Sequence, residues 1–260
     1  MILILAGTTE GRLVAEKLQG LGLATVCSVV SDYGEVLLKE TGIADVVVHR
    51  LDENSMPTFI QKHQIQAVVD ATHPFAVNIS QLAIQVCQHL DVAYYRYQRA
   101  LDSVPNYPGV HVVRSYQEAA QLAAKLGSRW LLTTGSNHLE LFVKVAVQAE
   151  CEVIARVLPE PSVLTKCRDL GLLPRQIIAI QGPFSHALNC ELIRHSEAQV
   201  LITKHSGDTG GFWEKISAAQ ESKVPVIVIL PPSSAGLASS HTYTNMDILA
   251  EQLKQEYSTN

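Results

Sequence analysis

The sequence predicts an α/β protein of two Rossmann-like, three-layer domains with mainly parallel sheets and a ligand cleft between them. Three observations predict it. Short apolar runs alternate with amphipathic stretches almost from end to end. Most of the runs are continuous in Val, Ile, Leu and Ala, the pattern of strands covered on both faces. Eleven such runs are too many for an ordinary single sheet, and a break falls at Gly127–Trp130, which gives two domains, 1–127 and 128–260.

The elements follow in order. Ile2–Ala6 is the first strand and feeds the helix Gly11–Gly20. Gly7 turns the chain between them, and Thr9 can cap the helix. The second strand, Ala24–Val30, ends in Ser31-Asp32-Tyr33-Gly34, which is either a plain turn or a ligand contact. Ala44–His49 is the third strand. The helix Met56–His63 leads into a buried strand, Ala67–Asp70. Pro74 forces His73 out of the helical region and can start the helix Val77–His89. Ala93–Tyr97 and His111–Val113 are strands, and Tyr116–Leu126 is a helix. The second half repeats the rhythm with strands Trp130–Thr133, Glu152–Arg156, Gln176–Ile180, Gln199–Thr203 and Val224–Leu230. Its helices are Asn137–Val145, Ser185–His195 with Ser185 as N-cap, Gly211–Glu221 opened by Gly210 and Gly211, and Met246–Gln255. Pro159 and Pro161 read as fixing an extended loop after Arg156.

Composition narrows the function classes. The 260 residues are 47% hydrophobic and 17% charged, with a net charge of −5, which weighs against nucleic acid as a partner. The five cysteines form no CxxC pair, so they read as reduced thiols of a cytoplasmic protein without a metal site. No apolar run approaches the roughly 18 residues of a membrane span. "MILILAG" has no basic flank and reads as a core strand, not as a signal peptide.

The chemistry gathers where strands end. Open α/β sheets bind ligands at the carboxyl edge of their strands. Gly7, Thr8 and Thr9 precede a helix whose first amides suit a phosphate, although only Gly7 and Gly11 of a GxGxxG pattern are present and Glu10 is acidic. At the end of the second strand Asp32 suits a free ribose hydroxyl, while Ser31 and Tyr33 suit a 2′-phosphate. Asp70, Thr72 and His73 close the fourth strand. In the second half, Thr134, Gly135 and Ser136 form another anion-ready turn, Arg156 can pair with a carboxylate or a structural acid, and Gln181 and Gly182 end a strand. Ser206 lacks a GxSxG elbow, His205 and Asp208 are too close for a triad, and no P-loop or HExxH pattern is present.

Together the segments "LILAGTTEGRLVAEKL", "VVDATHPFA", "LLTTGSNHLELF", "ARVLPEP", "IAIQGPFS" and "LITKHSGDTGGFWEKISAA" resemble the precorrin-6A reductase family of corrin biosynthesis. The resemblance runs from Ile2 to about Leu230. It implies an NADPH-dependent reduction of one macrocycle double bond in precorrin-6A or its cobalt counterpart, with cofactor and substrate held between two α/β domains. On that reading Gly7, Thr8, Thr9 and Glu10 meet the pyrophosphate, Ser31, Asp32 and Tyr33 the adenosine end, and Thr72, His73 and Pro74 the nicotinamide half. Thr134, Gly135, Ser136, Arg156, Gln181, Gly182 and Ser206 face substrate carboxylates, and Lys204 and His205 are the catalytic candidates, His205 as proton donor. Two segments depart from the family pattern. Arg96-Tyr97-Gln98-Arg99-Ala100 stands for an Arg-x-Glu-Arg-Pro-like segment, and His205 stands where many members carry an acid. The competing readings are a tetrapyrrole methyltransferase using S-adenosylmethionine and a non-enzymatic dinucleotide sensor. A tetrapyrrole is the expected partner, in a monomer or homodimer.

Overall fold

The computed structural model describes residues 1–100, 102–207, 210–232 and 241–258. In chain order its strands are β1 (Ile2–Leu5), β2 (Thr25–Val29), β3 (Val46–Val48), β4 (Ala67–Asp70), β5 (Ala93–Tyr97), β6 (Val110–Val113), β7 (Arg129–Leu132), β8 (Glu152–Val157), β9 (Ile177–Ala179), β10 (Val200–Lys204), β11 (Val226–Ile229) and β12 (Thr242–Tyr243). The helices are α1 (Thr9–Gly20), α2 (Asp32–Glu40), α3 (Ser55–Lys62), α4 (Val77–Leu90), α5 (Tyr116–Leu126), α6 (Leu139–Gln148), α7 (Pro161–Asp169), α8 (His186–His195), α9 (Phe212–Glu221) and α10 (Met246–Tyr257).

The strands form two six-stranded sheets, β12-β5-β4-β1-β2-β3 and β6-β11-β10-β7-β8-β9, and every pairing is parallel. Both faces of the first sheet are covered. Ile2 and Ile4 pack with Val14 and Leu18 of α1 and Leu249 and Leu253 of α10. Leu3 and Leu5 pack on the other side with Met56 and Ile60 of α3 and Ala83 and Val86 of α4. Each such buried aliphatic side chain contributes about 1.5–3 kcal/mol, which is why the strands are continuously apolar. In the second sheet, Leu131, Ile154, Leu201, Val226 and Val228 pack with Ile193 of α8 and Phe212, Ile216 and Ala219 of α9.

The two sheets share one strand order, with the chain starting at the centre, running outward on one side and then returning to the other. The sixth place is exchanged. β6 follows β5 in the chain, yet it pairs with β11, Val226 against Val110. β12 comes last and pairs with β5, Thr242 against Arg96. The division at 127/128 is therefore corrected: Met1–Ala100 with Ser233–Asn260 form one compact unit, and Leu101–Pro232 form the other. Periodicity identifies β6 as a strand but carries no information on which sheet edge it completes. The helix α5, with Ala119, Ala120 and Ala123 buried, goes with β6 and packs on β10 and β11.

Other local readings change as well. α2 buries only Leu38 and α7 only Cys167, so neither shows an apolar stripe in the sequence. Pro161 does not extend a loop; it stands in the first turn of α7, where its missing N–H costs nothing. Thr8, not Thr9, caps α1 by accepting from the Gly11 amide. Pro74 lies in a turn ahead of α4, whose N-cap is Ala76. Ser185 caps α8, and Gly211, with φ of 60°, precedes α9. Among the described residues no helix is long and apolar enough to cross a membrane.

Candidate active site

In the first unit the strand order reverses between β1 and β4, the point where open α/β sheets bind ligands. The loops after these two strands are tied together. Thr8 Oγ1 donates to the Ala71 carbonyl at 2.8 Å while accepting from Gly11 N. That hydroxyl is thus committed to the fold. Gly7 is exposed, and no atom lies within 4 Å of where a Cβ would stand. Its φ is outside the left-handed region, so, contrary to the expectation, the turn does not require a glycine there; the missing side chain leaves an open approach to the first amides of α1. Gly11 does the opposite, for a Cβ there would stand 2.6 Å from Ala6 Cα. Its absence lets α1 lie close against β1, the packing role of the last glycine in a dinucleotide turn. Thr9 Oγ1 accepts from Arg12 Nη2 at 3.0 Å, which puts a guanidinium in the first turn of α1 beside Glu10.

At the end of β2, Ser31 caps α2 by accepting from Gly34 N at 3.2 Å, and Asp32 and Tyr33 are exposed in its first turn. At the end of β4, Asp70 is fully buried and carries a network. Arg96 Nη1 lies 2.5 Å from Asp70 Oδ2, and Tyr94 donates to the same oxygen at 2.7 Å. Thr72 donates to Asp70 Oδ1 through its amide and hydroxyl, and Arg96 Nη2 donates to the Thr72 carbonyl. Burial alone would raise the Asp70 pKa, but the Arg96 charge and the Ser80 and Thr72 hydrogen bonds outweigh it and hold the carboxyl below the usual range. His73 Nδ1 accepts from Phe75 N at 3.2 Å, and its carbonyl accepts from Ala76 N, so His73 shapes the turn that carries Pro74.

In the second unit the order reverses between β7 and β10. Five buried side-chain polar atoms lack a hydrogen bond among the described residues. Four of them, Thr134 Oγ1, His205 Nδ1, Ser206 Oγ and Glu214 Oε2, lie after β7, after β10 and in the first turn of α9. Folded proteins rarely leave such atoms unmatched, and their concentration here marks a place for polar ligand atoms. Gly135 has φ of 76°, and Ser136 accepts from Leu139 N at the head of α6. Gln181 and Gly182 are exposed after β9.

Three cations converge on this edge. Arg156, 7% exposed on β8, donates to Asn189 Oδ1 at 2.8 Å and stacks over Phe184 at 4.4 Å. Neither partner is charged, and no ion pair to Arg156 occurs among the described residues; burial pulls its pKa down to about 10. Lys204 ends β10 and is also lowered by burial. Lys215, 7% exposed on α9, is brought down to about 7 by burial and by the Arg156 and Lys204 charges, with Glu214 opposing. Positive charge gathered in this way, with Arg156 buried and in no ion pair among the described residues, suits a ligand bearing carboxylates.

The structure places His205 in the packing of its own loop. It is 1% exposed, its ring stacks on Phe212 with centroids 4.3 Å apart, and Nε2 donates to the Asp102 carbonyl at 2.8 Å. A ring so enclosed packs the loop, with Nδ1 alone left unmatched. His205→Ala is expected to lower stability by about 2 kcal/mol, as buried truncations do, and to leave the pH profile of turnover unshifted. Denaturant titration and a pH–rate profile check the two halves. Asp208 lies outside the described residues.

The comparisons with known proteins bear on this arrangement. The family model described as "Precorrin-6x reductase CbiJ/CobK" matches residues 1–254. The chain belongs to that family. It is 38% identical over 233 residues to a cobalt-precorrin-6A reductase of Methanocaldococcus jannaschii, covering 89% of this chain and 90% of that one. It is 36% identical over 233 residues to a cobalt-precorrin-6A reductase of Priestia megaterium, at 89% and 91% coverage. A precorrin-6A reductase of Mycobacterium tuberculosis is 32% identical over 250 residues, at 92% and 94% coverage. The solved structure "CobK precorrin-6A reductase" superposes with a TM-score of 0.77 at 21% identity, covering 98% of this chain and 96% of that one, which supports the fold. The family reduces a carbon–carbon double bond of a macrocycle on the route to cobalamin, and a reductase of this kind takes a nicotinamide cofactor.

Sequence reasoning passed over three of these groups. Arg12 is a cation in the first turn of a helix, against the dipole preference, and that oddity was a usable signal. Arg96 stood out only as part of a motif departure, and its pairing with Asp70 depends on β4 and β5 being neighbours. Lys215 looks like an ordinary polar-face lysine in "FWEKI", and only the packing of α9 shows it is buried.

Proposed function

We propose that this chain uses NADPH to reduce one double bond of the precorrin-6A macrocycle or of its cobalt-containing counterpart. The observation that carries the substrate reading is the cationic trio of buried Arg156, buried Lys215 and half-buried Lys204, because Arg156 has no carboxylate partner among the described residues. Precorrin macrocycles carry several carboxylates, and relatives named for both substrate forms match nearly the whole chain.

The first unit is the dinucleotide-binding part. The first amides of α1, open above Gly7, hold the pyrophosphate with help from Arg12. Ser31, Asp32 and Tyr33 meet the adenosine end, and the buried Asp70–Arg96 pair fixes the Thr72–His73 turn beside the nicotinamide half. When bound, the dihydronicotinamide supplies the hydride. The second unit supplies the substrate loops: Arg156 and Lys204 hold carboxylates, while Thr134, Gly135, Ser136, Gln181, Gly182 and Ser206 offer hydroxyls and turn amides. The hydride needs a matching proton at a second carbon. Lys215, lowered to about 7, holds a transferable proton near neutral pH, and it takes the role expected of His205.

As an acid, Lys215 must be protonated, so turnover falls as pH rises through about 7. Lys215→Met is expected to lower kcat by roughly a hundredfold or more, to leave the KM for NADPH within twofold, and to erase that limb of the profile. A variant that keeps the limb transfers the role elsewhere. Comparing NADPH with NADH at fixed substrate tests the cofactor, with NADPH expected to give the higher kcat/KM.

A further inference from the structure

His186 opens α8, and Cys190 stands one turn along the same face. Glu221 is the last residue of α9, which packs against α8. His186 Nε2 lies 2.8 Å from Glu221 Oε2 and 3.4 Å from Cys190 Sγ. One ligand atom from each residue lies within 4.8 Å of the others. The ring's other nitrogen, Nδ1, is 2.8 Å from Ser217 Oγ, and that hydroxyl donates to the Glu214 carbonyl at 3.4 Å. A hydroxyl that gives its proton to a carbonyl accepts from Nδ1–H. Nε2 then faces a thiol and a carboxylate, and at that distance either a proton on Nε2 or a metal cation lies between the ring and Glu221.

We infer that His186, Cys190 and Glu221 bind one zinc ion, with the fourth position open to water. A proton on Nε2 would satisfy Glu221 but would give the sulfur no part. A metal uses all three groups. With zinc–ligand distances of about 2.0–2.3 Å, tetrahedral edges are roughly 3.3–3.6 Å. The His186–Cys190 separation already matches, and Glu221, exposed at a helix end and within 4.8 Å of the sulfur, swings to complete the set. The Ser217 contact is the outer hydrogen bond that sets the tautomer of a ligating histidine. Glu221 also sits at the negative end of the α9 dipole, where a carboxylate needs a cation. Imidazole, thiolate and carboxylate together favour zinc over magnesium or calcium. On binding, the Cys190 thiol gives its proton to solvent and the sulfur–zinc bond forms, with no change of oxidation state. The ion clamps α8 to α9, the helices that carry Asn189, the partner of Arg156, and Lys215.

The full-length protein, stripped with chelator and dialysed, tests this without any substitution. Added zinc is expected to bind at one equivalent, to protect Cys190 from iodoacetamide as read by peptide mass spectrometry, and to raise the thermal midpoint by about 5 °C at hundredfold excess over Kd. Cobalt(II) in its place is expected to give a thiolate charge-transfer band. His186→Ala and Cys190→Ser should each weaken zinc binding more than tenfold. No zinc uptake by the unmodified chain, no cobalt–thiolate band, or zinc bound equally well by the variants would each overturn the inference.

Discussion

Arg96→Met is expected to destabilise the first unit by about 3–5 kcal/mol, the usual cost of leaving one charge of a buried pair alone. The side chains of Arg96 and Asp70 are 4% and 0% exposed, so water cannot replace either partner. The loss extends beyond the pair, since Arg96 also donates to Thr72 and Ser80 and so holds the loop after β4 on α4. Adding Asp70→Asn should restore part of the loss by removing the stranded carboxylate. The pH dependence has a definite sign. The folded pKa of Asp70 is lowered, so its contribution is present above the unfolded value of about 3.9 and is lost as pH falls through the folded value. In Arg96→Met that acid limb disappears. Hydrogen exchange at β4 and β5 and urea unfolding at neutral and acid pH read the effect, and a loss under 1 kcal/mol would contradict it.

Gly11→Ala is expected to cost about 3 kcal/mol and to raise the KM for the nicotinamide cofactor at least tenfold. The new Cβ would stand 2.6 Å from Ala6 Cα and 2.9 Å from Ala6 C, backbone atoms directly after β1 that cannot turn away. α1 must lift, and its first amides move with it. Gly7→Ala separates the two effects. Its Cβ meets no protein atom within 4 Å, so stability should change by less than about 0.5 kcal/mol while the cofactor KM still rises. Equal stability losses in the two variants would remove the distinction.

The fold was legible wherever it rested on continuous burial. Ile2–Leu5 and Val226–Ile229 are covered on both faces and could be read as strands residue by residue. α2 and α7 were not legible, because each fully buries one side chain and leaves the rest half-buried or exposed. The exchange of β6 and β12 was not legible either, since sheet membership is decided by pairing across the sheet and not by any local pattern. For the candidate site, strand-end position singled out Thr8, Thr72, Arg156 and Lys204 as candidates without any structure. What those side chains do was less visible. Thr8 spends its hydroxyl on Ala71 and Gly11, His205 is enclosed by Phe212 and Asp102, and Lys215 is drawn into the cationic trio by the docking of α9.

The most direct test of the central claim is an anaerobic incubation of the purified chain with NADPH and either metal-free or cobalt-loaded precorrin-6A, following the nicotinamide absorbance and the mass of the macrocycle. The account predicts oxidation of one NADPH per macrocycle and a product heavier by two hydrogens with at least one of the two substrates. Binding of NADPH with no oxidation in the presence of either macrocycle would contradict it.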